Sequence, residues 1–170
     1  MTIMTIEQVR AATPRRGGGS KPPKPPTAID TARDAQDAHL PRAPRLELTL
    51  PFPPSVNGLY ATVPTTGGIL IRVKSRRAKF YAEAVKWALA AWKRDQGMRP
   101  PAPPYSLTLH VYPPRDKRKH DLTNMFKAPE DALFAAIGQD DNTVLRANAR
   151  KYEASSNPRI VLILEGSTAE

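Results

Sequence analysis

Proline placement constrains this chain more than any other feature. Nineteen of its 170 residues are proline, a residue that fixes φ and donates no backbone hydrogen bond, so it rarely sits inside a sheet ladder. The prolines fence the apolar runs rather than interrupting them. Leu46-Glu47-Leu48-Thr49-Leu50 alternates apolar and polar and is stopped by Pro51, Pro53 and Pro54. Residues 105–112 alternate again, bracketed by a proline-rich loop at 100–104 and by Pro113-Pro114. A period of two over such lengths predicts strands with one face buried.

Further strands are expected at 69–73, after Gly67-Gly68, and at 144–152 and 159–164. Ile160-Val161-Leu162-Ile163-Leu164 is apolar on both faces, which places it inside a sheet with a helix against it. Between strands, Ser75 is a suitable N-cap and Gly97 a suitable C-terminal stop for a helix over 76–96. Tyr81, Ala84, Val85, Ala88 and Trp92 make its apolar stripe, and both Trp87 and Trp92 are expected in the core. A second helix ends at Ile137 before Gly138, and Pro129 predicts either a kink or a start near Ala128. The expected fold is α+β: a single mixed β-sheet with two main helices, in the order β-β-α-β-α-β-β.

Residues 1–44 read differently. They hold seven prolines, Gly17-Gly18-Gly19 and no aromatic residue, a composition that cannot bury enough apolar area to offset chain entropy. The expectation is a disordered arm over 1–44 and one folded domain over 45–167. The chain carries a net charge of +10, of which only +3 belongs to the arm. The folded part is therefore basic in its own right, which favours a polyanionic partner. There is no cysteine, which excludes disulfides, thiolate metal sites and cysteine nucleophiles. No run is long enough to span a membrane, and a cytoplasmic protein is expected.

Against this basic background one segment stands out: Arg118-Lys119-His120-Asp121-Leu122-Thr123-Asn124-Met125-Phe126-Lys127, followed by Asp140-Asp141. Carboxylates gathered on a cationic protein need a cation of their own, and a hard divalent ion bound through oxygen turns a phosphate-repelling patch into a phosphate-activating one. Asp121 precedes the second helix and Asp140-Asp141 follow it, so the two ends meet only if the sheet brings them together. Lys127 would offset charge on a scissile phosphate. From spacing alone, an N-cap role for Asp121 stays open beside the metal role.

Asp121-Leu122-Thr123-Asn124, Lys127, Asp131-Ala132-Leu133 and Asp140-Asp141, with Pro51-Phe52-Pro53-Pro54-Ser55-Val56-Asn57-Gly58-Leu59-Tyr60 upstream, resemble the signature of the RusA family of Holliday junction resolvases, over about residues 46–165. The resemblance implies a homodimeric, Mg²⁺-dependent endodeoxyribonuclease, with Mn²⁺ as a possible substitute, that resolves four-way DNA junctions by paired symmetric nicks. It assigns Asp121, Asp141 and Lys127 as catalytic, and Asp121, Asp141 and Asp140 as metal ligands. Lys151 falls where the family commonly carries a lysine.

One position departs from the family pattern Asp-x-Asp-Asn: Thr123 stands at the second aspartate. Asp140 is expected to complete the metal shell, with Glu130 and Asp131 as alternatives, while Asp131 also suits an ion pair with Lys127. Two other functions remain open: a broader structure-selective nuclease, and a non-catalytic DNA-binding protein whose metal site is weakened at Thr123. Arg115, Lys117, Arg118 and Lys119 immediately precede the motif and are expected to contact DNA phosphates. Lys79 and Lys86, seven apart on the first helix, and Lys151 are the remaining candidates for DNA contact.

Overall fold

The computed structural model describes residues 3–4, 37–116 and 119–167, with backbone alone for 3–4. The expectation of a disordered arm falls mostly outside the described residues. The elements are β1 (Ile3–Met4), β2 (Arg45–Pro51), β3 (Tyr60–Pro64), β4 (Leu70–Lys74), α1 (Arg76–Gln96), β5 (Tyr105–Tyr112), α2 (Leu122–Ile137), β6 (Val144–Lys151) and β7 (Arg159–Gly166).

Five strands form one mixed sheet in the order β1-β6-β5-β7-β2, with β5 and β6 parallel and the other pairings antiparallel. Register follows the alternation read from sequence. Leu46, Leu48 and Leu50 lie opposite Leu164, Leu162 and Ile160, which in turn lie opposite Leu107, Leu109 and Val111. All nine are essentially buried. This apolar face is covered by Tyr81, Val85 and Leu89 of α1 and by Met125, Phe126, Leu133 and Phe134 of α2, with α1 and α2 also packed on each other. The opposite face carries the alternate residues, among them Thr49, Val161, His110 and Arg150.

The α+β class holds, with a mixed sheet and two main helices. Three details differ from the expectation. Ile3–Met4, within the segment expected to be a disordered arm, adds an edge strand beside β6. Residues 60–64 form an additional strand, and β3 and β4 make a separate two-stranded hairpin instead of joining the main sheet. Trp87 is not in the core: it is 74% exposed, while Trp92 packs partly buried against it. On α1, Trp87 lies two residues from both Val85 and Leu89, about 200° round the helix, and so points away from the sheet.

The helix ends are set as the sequence indicates. Ser75 Oγ accepts from Ala78 N (3.1 Å) and donates to Gly58 O (2.6 Å), tying the Pro-Pro-Ser-Val-Asn-Gly loop to the start of α1. Gly97 and Gly138 both adopt left-handed φ, 60° and 68°, where a Cβ would be strained. Pro129 does not delay α2, which begins seven residues earlier at Leu122 and runs through it.

Candidate active site

The site is built by α2 and the turn that follows it. Lys127, Glu130 and Asp131 lie at i, i+3 and i+4 on one face of the helix, the spacing at which side chains meet. Gly138 then ends the helix, Gln139 N donates to Phe134 O (3.0 Å), and the chain reverses into a short 3₁₀ turn, Asp141–Thr143. That reversal brings Asp141 back to the helix. The Lys127 ammonium sits among three carboxylates: 2.8 Å from Asp131 Oδ1, 2.9 Å from Asp141 Oδ2 and 3.2 Å from Glu130 Oε2.

Carboxylate oxygens of Glu130, Asp131 and Asp141 all lie within 4.8 Å of one another, all three residues being partly buried. Such a set suits a hard divalent cation, which takes carboxylate oxygens at about 2–2.6 Å. Its charge also fits: three carboxylates and one ammonium leave two negative charges. Burial by itself would lower the Lys127 pKa, but Glu130, Asp131 and Asp141 outweigh it, so the ammonium is held firmly protonated. Burial raises the Glu130 carboxyl, and Lys127 only partly offsets that.

Asp121 and Asp140 lie outside this group. Asp121 is the N-cap of α2, and its Oδ1 accepts from Thr123 N (3.1 Å) and from Thr123 Oγ1 (2.8 Å). Thr123 therefore fixes the Asp121 carboxylate by a hydrogen bond where a second aspartate would repel it. Asp140 caps the 3₁₀ turn, its Oδ1 accepting from Asn142 N at 2.9 Å, and it is exposed. The alternatives weighed for the metal shell, Glu130 and Asp131, are the ones that meet Asp141.

Lys151, the last residue of β6, donates to His120 O (2.7 Å), the carbonyl just before Asp121. Arg115 is exposed, with Nε 3.5 Å from Ala154 O, and Lys119 is exposed. Lys117 and Arg118 lie outside the described residues. On α1, Lys79 is exposed, Lys86 pairs with Glu83 (2.8 Å), and Lys93 pairs with Asp37. Two residues went unassigned in the sequence. His120 Nε2 lies 2.8 Å from Asp116 Oδ1, and its ring meets Phe52 edge-on with centroids 5.1 Å apart. Phe52 belongs to the proline-rich loop motif, so that loop buttresses the entry to α2; its place inside the motif was the available signal.

No curated protein matches the chain. Among solved structures, the chain is similar to 2C-methyl-D-erythritol 2,4-cyclodiphosphate synthase from Plasmodium vivax at 9% identity, over 71% of this chain and 90% of that one, with a TM-score of 0.26. A score so low carries no statement about fold or activity. The sequence profile of Endodeoxyribonuclease RusA matches residues 51–165. That span holds both helices, the hairpin and the Lys127 cluster. The chain belongs to the RusA family of endodeoxyribonucleases, hydrolases that resolve Holliday junctions.

Proposed function

We propose that this protein is a Mg²⁺-dependent resolvase that acts as a homodimer, nicking four-way DNA junctions in pairs at symmetry-related positions. The observation that carries the reading is the Lys127 ammonium held within 3.2 Å of three carboxylates that themselves converge. Asp141, Asp131 and Glu130 would hold the ion. Bound there, the ion supplies Lewis acidity toward a phosphoryl oxygen and lowers the pKa of an attacking water. Mn²⁺ has the same preference for oxygen ligands and is expected to substitute.

The chain's own residues do the rest. Lys127 remains charged because its carboxylate neighbours hold its proton, so it can neutralise a non-bridging oxygen or the departing 3′ oxygen of the scissile phosphate. The N-terminus of α2 presents the positive end of the helix dipole, which favours phosphate nearby. Asp121, locked by Thr123, is oriented at that end rather than free to rotate. Lys151 fixes the His120 carbonyl and so the direction in which Asp121 enters the helix. Two-fold symmetry supplies one such site for each of two related strands.

The test is cleavage of a synthetic four-way junction beside a linear duplex of matched sequence, with Mg²⁺ varied and an Asp141→Asn variant alongside. Metal-dependent nicks in the junction, lost in the variant, are expected. Junction binding without cleavage in either Mg²⁺ or Mn²⁺ would overturn the enzyme reading and leave a DNA-binding protein.

A further inference from the structure

The face of the sheet opposite the helices carries a feature that the cleavage site does not use. At one end of the sheet, Tyr152, Tyr112 and Arg159 lie side by side on three neighbouring strands. Tyr112 is the register partner of Arg159, and Tyr152 N donates to Val111 O, continuing the parallel ladder beyond β6. The two phenol rings stack, with centroids 4.6 Å apart and 11° between planes. The Arg159 guanidinium covers the outer face of Tyr112 at 4.2 Å, and the Arg150 guanidinium lies 5.1 Å from the Tyr152 centroid. His110 Nδ1 meets Tyr152 Oη at 2.8 Å. The result is a row of guanidinium, phenol, phenol and guanidinium across the sheet.

Charge is distributed unevenly along this face. The four long strands contain two acidic residues, Glu47 and Glu165, and both pair with Arg45. Arg45 is six residues along β2 from Pro51, the partner of Arg159, or about 20 Å at strand rise. At the end that holds the stacked row, Arg150, Arg159 and Arg115, the last with Nε 3.5 Å from Ala154 O, outnumber Glu153 and Asp116. The same end of the sheet leads into the start of α2, whereas Asp141 precedes Val144, the register partner of Tyr105 at the other end. Lys151 stands between Arg150 and Tyr152 in the chain, points to the other face, and holds the His120 carbonyl next to Asp121.

We propose that this stacked row is a second DNA contact, a clamp for the phosphate backbone of one double-helical arm of the junction. A guanidinium held over an aromatic ring loses less freedom on binding phosphate than a free arginine or lysine does. Tyr152 and Arg159 leave Tyr112 no open face for an unstacked base, and backbone contact is the chemistry the guanidinium groups offer. The clamp rests on the resolvase reading for its substrate, and it places one duplex arm across the sheet end that also carries the start of α2.

The test uses the full chain carrying Asp141→Asn, so that DNA is bound without being cut, with a synthetic four-way junction as probe. Arg159→Gln and Arg159→Lys are compared, and likewise Arg150→Gln and Arg150→Lys. Each pair loses the stacked guanidinium alike and differs only in charge, which separates phosphate contact from damage to the sheet. The double Gln variant is expected to bind about tenfold more weakly at 0.15 M salt, with the slope of log K against log salt smaller by about two, since each neutralised phosphate contributes about 0.9. The double Lys variant should recover most of that slope. Equal slopes for Gln and Lys variants overturn the clamp, as does a loss confined to single-stranded oligonucleotide. If the arginine variants behave as predicted but the native protein, with Asp141 intact, cleaves no junction in Mg²⁺ or Mn²⁺, the resolvase reading fails and the clamp stands. If the parent binds no DNA at all, both fail.

Discussion

Replacing Lys127 with methionine separates its two roles. In the structure the ammonium occupies the space between Glu130, Asp131 and Asp141, at 2.8–3.2 Å from each, so a divalent ion entering that space must displace it. Even after it swings aside, the ammonium would stay about 5 Å from the ion, and Coulomb's law with the dielectric of bulk water gives about 1.7 kcal/mol of repulsion. Lys127→Met should therefore bind Mg²⁺ at least about tenfold more tightly, while cleavage falls by about a hundredfold or more from loss of charge at the scissile phosphate. Without metal the variant should lose about 1–3 kcal/mol of stability, less than the 3–5 typical of a broken buried pair because the side chain is 36% exposed. Added Mg²⁺ should restore most of that loss. Calorimetric titration gives the affinity, thermal unfolding the stability, and junction cleavage the rate. Metal affinity that is unchanged or weaker in Lys127→Met would mean that the ion does not bind among these three carboxylates, and the reasoning fails.

Other outcomes follow from the same geometry. Thr123→Asp, which adds a carboxylate beside Asp121 and removes a 2.8 Å hydrogen bond, should leave Mg²⁺ affinity within about twofold if the ion sits with Asp141; a tenfold gain by titration would move the metal to the Asp121 end. Leu162→Ala, at a position with no exposure on β7, should cost about 2–5 kcal/mol in denaturant unfolding, and a cost below about 1 would contradict the packing described. Ser75→Ala should cost about 1 kcal/mol through the lost N-cap of α1, read in the same assay. Burial, and next the Arg150 guanidinium, hold His110 below the ordinary imidazole range. The unfolded chain then binds the extra proton, so stability should fall as pH drops through about 6.5. His110→Asn should flatten that part of the profile, and an unchanged pH dependence would remove His110 as its source.

The sheet was legible because Leu46, Leu48 and Leu50, or Leu107, Leu109 and Val111, repeat at the period that a half-buried strand requires, and prolines mark where each run stops. The β3–β4 hairpin was half seen. Ile71 and Val73 suggested a strand, but whether it joined the main sheet depended on pairing partners that local pattern does not specify. Trp87 was misplaced because bulk and hydrophobicity favour burial, whereas its angular position on α1 puts it opposite Val85 and Leu89. In the site, the Lys127–Asp131 contact was readable from i,i+4 spacing. That Asp141, rather than Asp121 or Asp140, joins it depends on the chain reversal after Gly138, a three-dimensional fact with no counterpart in spacing. Likewise, the stacked row of Tyr112, Tyr152 and Arg159 draws on three strands, and no sequence window contains it.

On the proposed reading, the carboxylates gathered around Lys127 serve to cut junctions in pairs. A supercoiled plasmid carrying an extruded inverted repeat tests it most directly, because two coordinated nicks across the cruciform linearise the circle and a single nick only relaxes it. The native protein should give Mg²⁺-dependent linear product, and Asp141→Asn should leave the plasmid supercoiled. Linear product that persists in Asp141→Asn, or that forms in the presence of a chelator, would contradict it.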